Sequence, residues 1–143
     1  FSESNHLANV INQDDLLEGH GVANKLGQSM IHVSNYSEIG TVDVILTRGF
    51  NPIQFPGDKG RLRPPFDVDY ASTTYESEDG LDNTDFAIRW SHTISAIDFG
   101  VSHFKGNSRT PFFTSNDGVS FAPNYELIDQ TGLELQASLG SML

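Results

Sequence analysis

The chain contains no cysteine, which excludes disulfides and thiolate metal sites. It has no run of eighteen apolar residues, so a membrane-spanning helix is excluded. Positive charge is scarce: 8 Lys and Arg stand against 19 Asp and Glu, a formal net charge of -11 at pH 7. That balance argues against general nucleic-acid binding. The HExxH, G-x-S-x-G, phosphate-loop and dinucleotide-binding motifs are all missing. The histidines (His6, His20, His32, His92 and His103) share no metal-ligand spacing. Ser91-His92 and Ser102-His103 put neighbours on opposite faces of a strand, so neither pair can act as nucleophile and base. No enzymatic activity, cofactor or bound metal is therefore expected. No repeat of solenoid length and no signal peptide is visible. The chain begins at Phe1 without Met and stops at Leu143 in mid-pattern, so it is expected to be an interior piece of something longer, or a trimmed product.

What the chain does have is apolar residues at a spacing of two, clearest from Asp85 to Gly106. Phe86, Ile88, Trp90, His92 and Ile94 fall on one face, and Asp85, Ala87, Arg89, Ser91 and Thr93 on the other. Beyond Ser95-Ala96 the first face continues with Ile97, Phe99, Val101 and His103, and the second with Asp98, Gly100 and Ser102. A helix would need apolar residues three and four apart, so this is strand periodicity. A two-residue turn at Ser95-Ala96 would pair Ile94 with Ile97, His92 with Phe99, Trp90 with Val101 and Ile88 with His103. On the opposite face it joins Thr93 to Asp98, Ser91 to Gly100 and Arg89 to Ser102. A slip of one residue would mix the faces, which fixes the register.

Other segments fit the same plan. Strands are expected near 30–36, 41–50, 85–94, 97–106 and 125–139, within one unit spanning 1–143. Val42, Val44, Leu46 and Phe50 share a face against Thr41, Asp43, Thr47 and Gly49, with Ile45 breaking the pattern. Leu133, Leu135, Ala137 and Leu139 alternate with Gly132, Glu134, Gln136 and Ser138. Short turns at 37–40 and 95–96 alternate with long polar stretches at 51–84 and 107–124. The expected fold class is all-β, an antiparallel up-and-down meander. Tight turns at one end and long loops at the other are typical of outer-membrane proteins, so the meander is expected to form part of a transmembrane β-barrel. About five strands are too few to close one, since bacterial single-chain barrels begin at about eight. Open edges in a bilayer would leave backbone groups unpaired. The remaining strands of a longer chain are thus required partners.

Several stretches, in order along most of the chain, resemble a group of uncharacterised, porin-like Gram-negative outer-membrane β-barrel proteins. They are Asn9-Val-Ile-Asn-Gln-Asp-Asp15, Lys25-Leu-Gly-Gln28, Gly57-Asp-Lys-Gly-Arg-Leu-Arg-Pro-Pro65 and Tyr75-Glu-Ser77. Asp85-Phe-Ala-Ile-Arg-Trp-Ser-His92, Asp98-Phe-Gly-Val-Ser-His-Phe-Lys-Gly106, Ser108-Arg-Thr-Pro111 and Ile128-Asp-Gln-Thr-Gly-Leu-Glu-Leu-Gln136 continue the likeness. The resemblance implies a location, the cell outer membrane, and an architecture, but no substrate. It also implies an apolar-aromatic strand just after Leu143.

On this reading Val42, Val44, Leu46, Ile88, Trp90, Ile94, Ile97, Phe99, Val101, Leu133, Leu135 and Leu139 face lipid. Phe50, Phe86 and Tyr125 fall toward the long-loop ends, where aromatic girdles sit. Asp43, Arg89, Thr93, Asp98, Glu134 and Gln136 face the lumen. The alternative is a soluble sheet with the same apolar face buried in a protein core. His92 and His103 weigh against lipid exposure, because imidazole at mid-membrane depth is costly.

The densest charge cluster is Asp58-Lys-Gly-Arg61-Leu-Arg63-Pro-Pro, followed by Asp67-Val-Asp69. Folded inward, Arg61 and Arg63 would face Asp67 and Asp69 across a constriction and set an ion preference; left outside, they are solvated loop charges of little energetic weight. With Arg89, Asp43 and Glu134 these are the candidate lumen or constriction residues. The acidic clusters Asp14-Asp15 and Glu76, Glu78, Asp79 and Asp82 suit calcium in charge, but EF-hand spacing is missing. The expected function is porin-like passive transport of small polar solutes or a structural envelope role, with outer-membrane lipid and lipopolysaccharide as partners. The alternative is a secreted or periplasmic β-sandwich binding carbohydrate or calcium through its long loops, where Phe112, Phe113 and Phe121 are candidate contacts.

Overall fold

A computed structural model describes residues 11–13, 15, 26–57, 59–60, 63–115 and 117–137. The principal element is a five-stranded antiparallel sheet in the order β1-β2-β5-β6-β9. Its strands are β1 (Met30–Ser37), β2 (Gly40–Arg48), β5 (Thr84–Ile94), β6 (Ile97–Asn107) and β9 (Leu127–Ala137). The chain is all-β, as the two-residue period requires, and the described strands do not close on themselves. Every pair expected for the hairpin is formed, from Ile94 with Ile97 through Trp90 with Val101 to Ile88 with His103. Ser95, with φ at 59°, carries the positive angle that a two-residue hairpin turn needs.

The β1–β2 turn works differently. Gly40, with φ at +115°, lies so close to β5 that a Cβ there would stand 2.4 Å from the Ser91 carbonyl oxygen. That close approach lets the Trp90 indole N–H donate to the Ile39 carbonyl at 3.0 Å, which satisfies the polar end of an otherwise apolar ring.

Three expectations need correction. The strand expected over 41–50 stops at Arg48. Gly49 turns the chain with φ at +83°, and the Phe50 N–H donates to the Leu81 carbonyl at 2.7 Å. The strand expected over 125–139 begins at Leu127, because Tyr125 ends a different strand; positions 138 and 139 lie outside the described residues. The long stretches 51–84 and 107–124 are not plain loops. They hold β3 (Asp67–Val68), β4 (Thr74–Tyr75), β7 (Phe112–Thr114), β8 (Ser120–Tyr125) and two short 3₁₀ turns. β8 pairs in parallel with β3 and β4 and antiparallel with β7.

This small sheet is organised by aromatic packing. Phe50 meets Tyr125 edge-on at 4.8 Å between centroids, and Tyr75 stacks on Tyr125 at 5.5 Å. Phe66 bridges Phe113 and Phe121 at 5.2 and 4.7 Å. Phe50 and Tyr125 therefore do not sit in an aromatic girdle. They are buried with Ile53 in a core of their own, and Tyr125 accepts the Ile53 N–H at 3.0 Å.

Candidate functional site

The register sorts the large sheet into two faces of opposite chemistry. Ile31, Leu46 and Phe86 share a row on one face, as do Val33, Val44 and Ile88, and Val42, Trp90, Val101 and Leu133. None of these is buried: Leu133 is 76% exposed and Ile31 65%, and Leu135, in the row of Phe99, is 71% exposed. The other face carries Ser34, Asp43, Arg89, Ser102 and Gly132 in one row across all five strands. That row is half-buried, and toward the loop end Thr47 is 2% and Asp85 1% exposed, whereas Tyr36, Thr93 and Asp98 toward the turn end are exposed. A soluble sheet hides its apolar face, whereas here none of the apolar rows named is buried.

The polar face is tied together by charge. Arg89 Nη2 donates to Glu134 Oε2 at 2.9 Å, spanning from β5 to β9. Asp43 stands opposite Arg89 in the register, and Ser34 Oγ and His32 Nε2 both bond to its Oδ1, the latter at 2.9 Å. Ser34 Oγ is also 3.2 Å from His32 Nε2. A catalytic triad needs the carboxylate and the hydroxyl on different ring nitrogens. Here both meet Nε2, so these three residues form a polar clasp instead. On the apolar face, His103 Nδ1 meets Thr131 Oγ1 at 3.0 Å and Nε2 stands 3.6 Å from Asp129 Oδ1, so the ring is not left unpartnered.

Of the sequence-derived candidates, Asp43, Arg89 and Glu134 are brought together on this face. The others are not. Asp67 is exposed in β3 beside Ser120. The Asp69 carboxylate accepts from the Ala71 N–H at 3.0 Å and Ser72 Oγ at 2.6 Å, capping a 3₁₀ turn. Arg63 is exposed in the same loop region, and Arg61 lies outside the described residues. Among the described residues no group of three or more His, Asp or Glu side chains is placed to hold a metal ion.

At the loop end the polar face carries a cluster that the sequence pattern did not single out. Arg109 Nη2 pairs with Asp85 Oδ2 at 2.7 Å, with both side chains buried. Arg109 Nε donates to the Ile11 carbonyl at 2.6 Å and Nη1 to the Asn107 carbonyl at 3.0 Å. Its guanidinium lies 5.2 Å from the Phe50 ring centroid and 5.6 Å from that of Phe104. Asp85 Oδ1 accepts from Asn83 Nδ2 at 2.8 Å and the Asn107 N–H at 3.1 Å. Gly106 leaves room for this carboxylate, since a Cβ there would fall 2.3 Å from it. Beside the pair, Ile11 is buried with Ile45, Ala87 and Phe104. Ile45, which breaks the alternation of β2, is thus the seat of a small apolar patch on the polar face. One sequence signal was open to view: Arg109 is the sole cation between 107 and 124.

The small sheet borders an open cleft of about 540 Å³ lined by Ile53, Gln54, Phe55, Tyr70, Thr73 and Tyr75, among others. Burial raises the Tyr75 hydroxyl above its ordinary pKa. Tyr125 is pushed up to about 12 by burial, which outweighs the N–H it accepts from Ile53; Tyr75 and Tyr70 add to the rise. Asp117 in the exposed loop is held well below the usual carboxylate range by N–H groups of Val119 and Ser120 and the Ser120 hydroxyl. No protein-family model, curated protein or solved structure matches the chain.

Proposed function

We propose that the chain is a segment of an outer-membrane β-barrel that serves porin-like passive passage of small polar solutes. The carrying observation is the two-faced sheet, with large apolar side chains in the open on one face and ion pairs on the other. Monomeric soluble proteins rarely expose a contiguous apolar patch of this kind. Lipid is the solvent that suits it. From Phe86 to Ile94 the apolar face runs roughly 27 Å along the strand at about 3.4 Å per residue. Tilted by about 40°, that is roughly 20 Å of depth, close to the apolar band of about 25 Å in outer-membrane barrels. Lys105 and Asp129, which share a row with Phe86, mark the polar boundary at the loop end.

Asp43, Arg89, Glu134 and their serine neighbours would then line the lumen, offering hydrogen bonds and charge to polar solutes. The two open edges, β1 and β9, would pair with strands elsewhere in the full-length protein, leaving no backbone groups unpaired in lipid. Outer-membrane lipid and lipopolysaccharide are the partners of the outer surface.

The test is the solution state of the chain with and without detergent, by size exclusion with light scattering. Aggregation in plain buffer and β-rich particles in detergent are expected. A monodisperse, cooperatively folding monomer in plain buffer would contradict the lipid-facing assignment.

A further inference from the structure

We propose that the cleft bordering the small sheet is a binding site for a neutral saccharide, which lies against the Phe55, Tyr70 and Tyr75 rings and hydrogen-bonds to Gln54 and Thr73. The site is independent of what covers the large sheet, because its lining comes from the first long stretch, between positions 52 and 81. Its walls are already fixed. The Phe55 N–H donates to the Tyr70 hydroxyl at 2.7 Å, which ties two lining residues together. The Ile53 N–H is held by the Tyr125 hydroxyl at 3.0 Å. Tyr75 is seated by its stack on Tyr125 and its edge contact with Phe50 at 6.1 Å. Phe55 rests on Phe113 at 5.5 Å between centroids, and Asp69 caps the turn that carries Tyr70. A site formed before its ligand arrives spends little binding energy on ordering. The cleft volume of about 540 Å³ suits a small molecule.

Charge and hydrogen-bonding capacity select the occupant. Among the described residues every side chain lining the cleft is uncharged, in a chain whose formal net charge is -11. An ionic ligand would give up water and find no counter-charge. A wholly apolar ligand fails for the opposite reason. Among the described residues no protein group hydrogen-bonds to the Gln54 amide, the Thr73 hydroxyl or the Tyr75 hydroxyl. Hydrocarbon laid over them would forfeit their bonds to water. Tyr70, 46% exposed, accepts from Phe55 and keeps its own proton to donate. A neutral saccharide meets both conditions. The C–H faces of its rings are apolar and cover aromatic surface, while the hydroxyls at their edges donate and accept. The aromatics that the sequence offered for carbohydrate contact are placed elsewhere: Phe113 and Phe121 pack on Phe66.

The experiment is calorimetric titration of the full-length protein, with saturation-transfer NMR on the sugar protons. The probes are the neutral trisaccharides maltotriose, cellotriose and tri-N-acetylchitotriose, and the charged trigalacturonate. At least one neutral probe is expected to bind with a Kd of about 1 mM or below, and trigalacturonate at least tenfold more weakly. The double variant Gln54→Ala with Thr73→Val removes two side chains that hold nothing else in place, and should weaken the neutral probe at least tenfold. Leu81→Arg is the second variant. The Leu81 carbonyl, not its side chain, holds the Phe50 N–H, so the substitution brings a charge into the lining and should cost at least tenfold as well. Phe112→Ala, exposed and outside the cleft, should leave binding unchanged.

No binding of any neutral probe at up to about 10 mM would overturn the site. Binding that survives both cleft variants, or that is lost in Phe112→Ala alone, would place the sugar elsewhere and overturn it equally. Trigalacturonate bound as tightly as the neutral probes would contradict the selection by charge. The readout is sugar binding rather than insertion, so failure here leaves the outer-membrane reading standing, and a chain that stays monodisperse in plain buffer leaves the saccharide site standing.

Discussion

Asp85 and Arg109 show why a polar wall can be rigid. Each is buried, and each spends its hydrogen-bonding capacity on the other and on fixed neighbours: Asn83, Asn107 and the Ile11 carbonyl. Removing one member of such a pair leaves the other charged and unpartnered, at a cost of about 3–5 kcal/mol. Arg109→Ala is expected to lower folding stability by that amount, read as a fall in the urea midpoint with unchanged slope; an unchanged midpoint would mean that the pair is dispensable. Tyr125 gives a pH-dependent counterpart. Its folded-state value of about 12 lies above the ordinary 10, so folding favours the neutral phenol. The stabilisation is complete below pH 10 and is lost as pH rises from 10 toward 12. Absorbance at about 295 nm should show one phenol, absent in Tyr125→Phe, titrating with a midpoint near 12. Titration of every tyrosine near its ordinary value would contradict the buried core of the small sheet.

At the level of elements, the β5–β6 hairpin was legible pair by pair, because both strands alternate without interruption over their length. The turn is its weak point. Ser95 adopts a positive φ that glycine tolerates and serine resists. Ser95→Gly should therefore raise stability by roughly 0.5–1 kcal/mol, seen as a higher thermal midpoint. Loss of stability would mean that the Ser95 side chain contributes more than its backbone strain costs. The small sheet was not legible, for a physical reason. β3 and β4 have only two residues each, too few to display a period, and their partners in β8 are supplied from the other long stretch. The sequence pattern assigned Phe50 and Tyr125 to the large sheet because they continue its alternation; Gly49 and Glu126 break the strand on the near side of each. Of the candidate site, Asp43, Arg89 and Glu134 followed from strand parity alone. Asp85–Arg109 and its contact with Ile11 did not, since they join three distant segments that no local pattern connects.

On the scale of the whole molecule, the proposed function rests on the two faces of the large sheet. A charge placed on a lipid-facing wall costs about 2–4 kcal/mol at mid-depth, and far less near an interface. Leu133→Arg, in the central row with Trp90 and Val101, should thus impair insertion of the full-length protein into vesicles, while Gln136→Arg on the polar face should not. Equal effects at the two positions would erase the distinction between the faces. The most direct measurement uses Trp90, the one tryptophan of this chain. The full-length protein is reconstituted in vesicles whose acyl chains are brominated, with Trp90→Phe supplying the background. Strong quenching of the Trp90 signal, together with a blue-shifted emission, is expected if this face meets lipid. Emission unchanged by brominated chains would contradict it and leave the apolar face awaiting a protein partner instead.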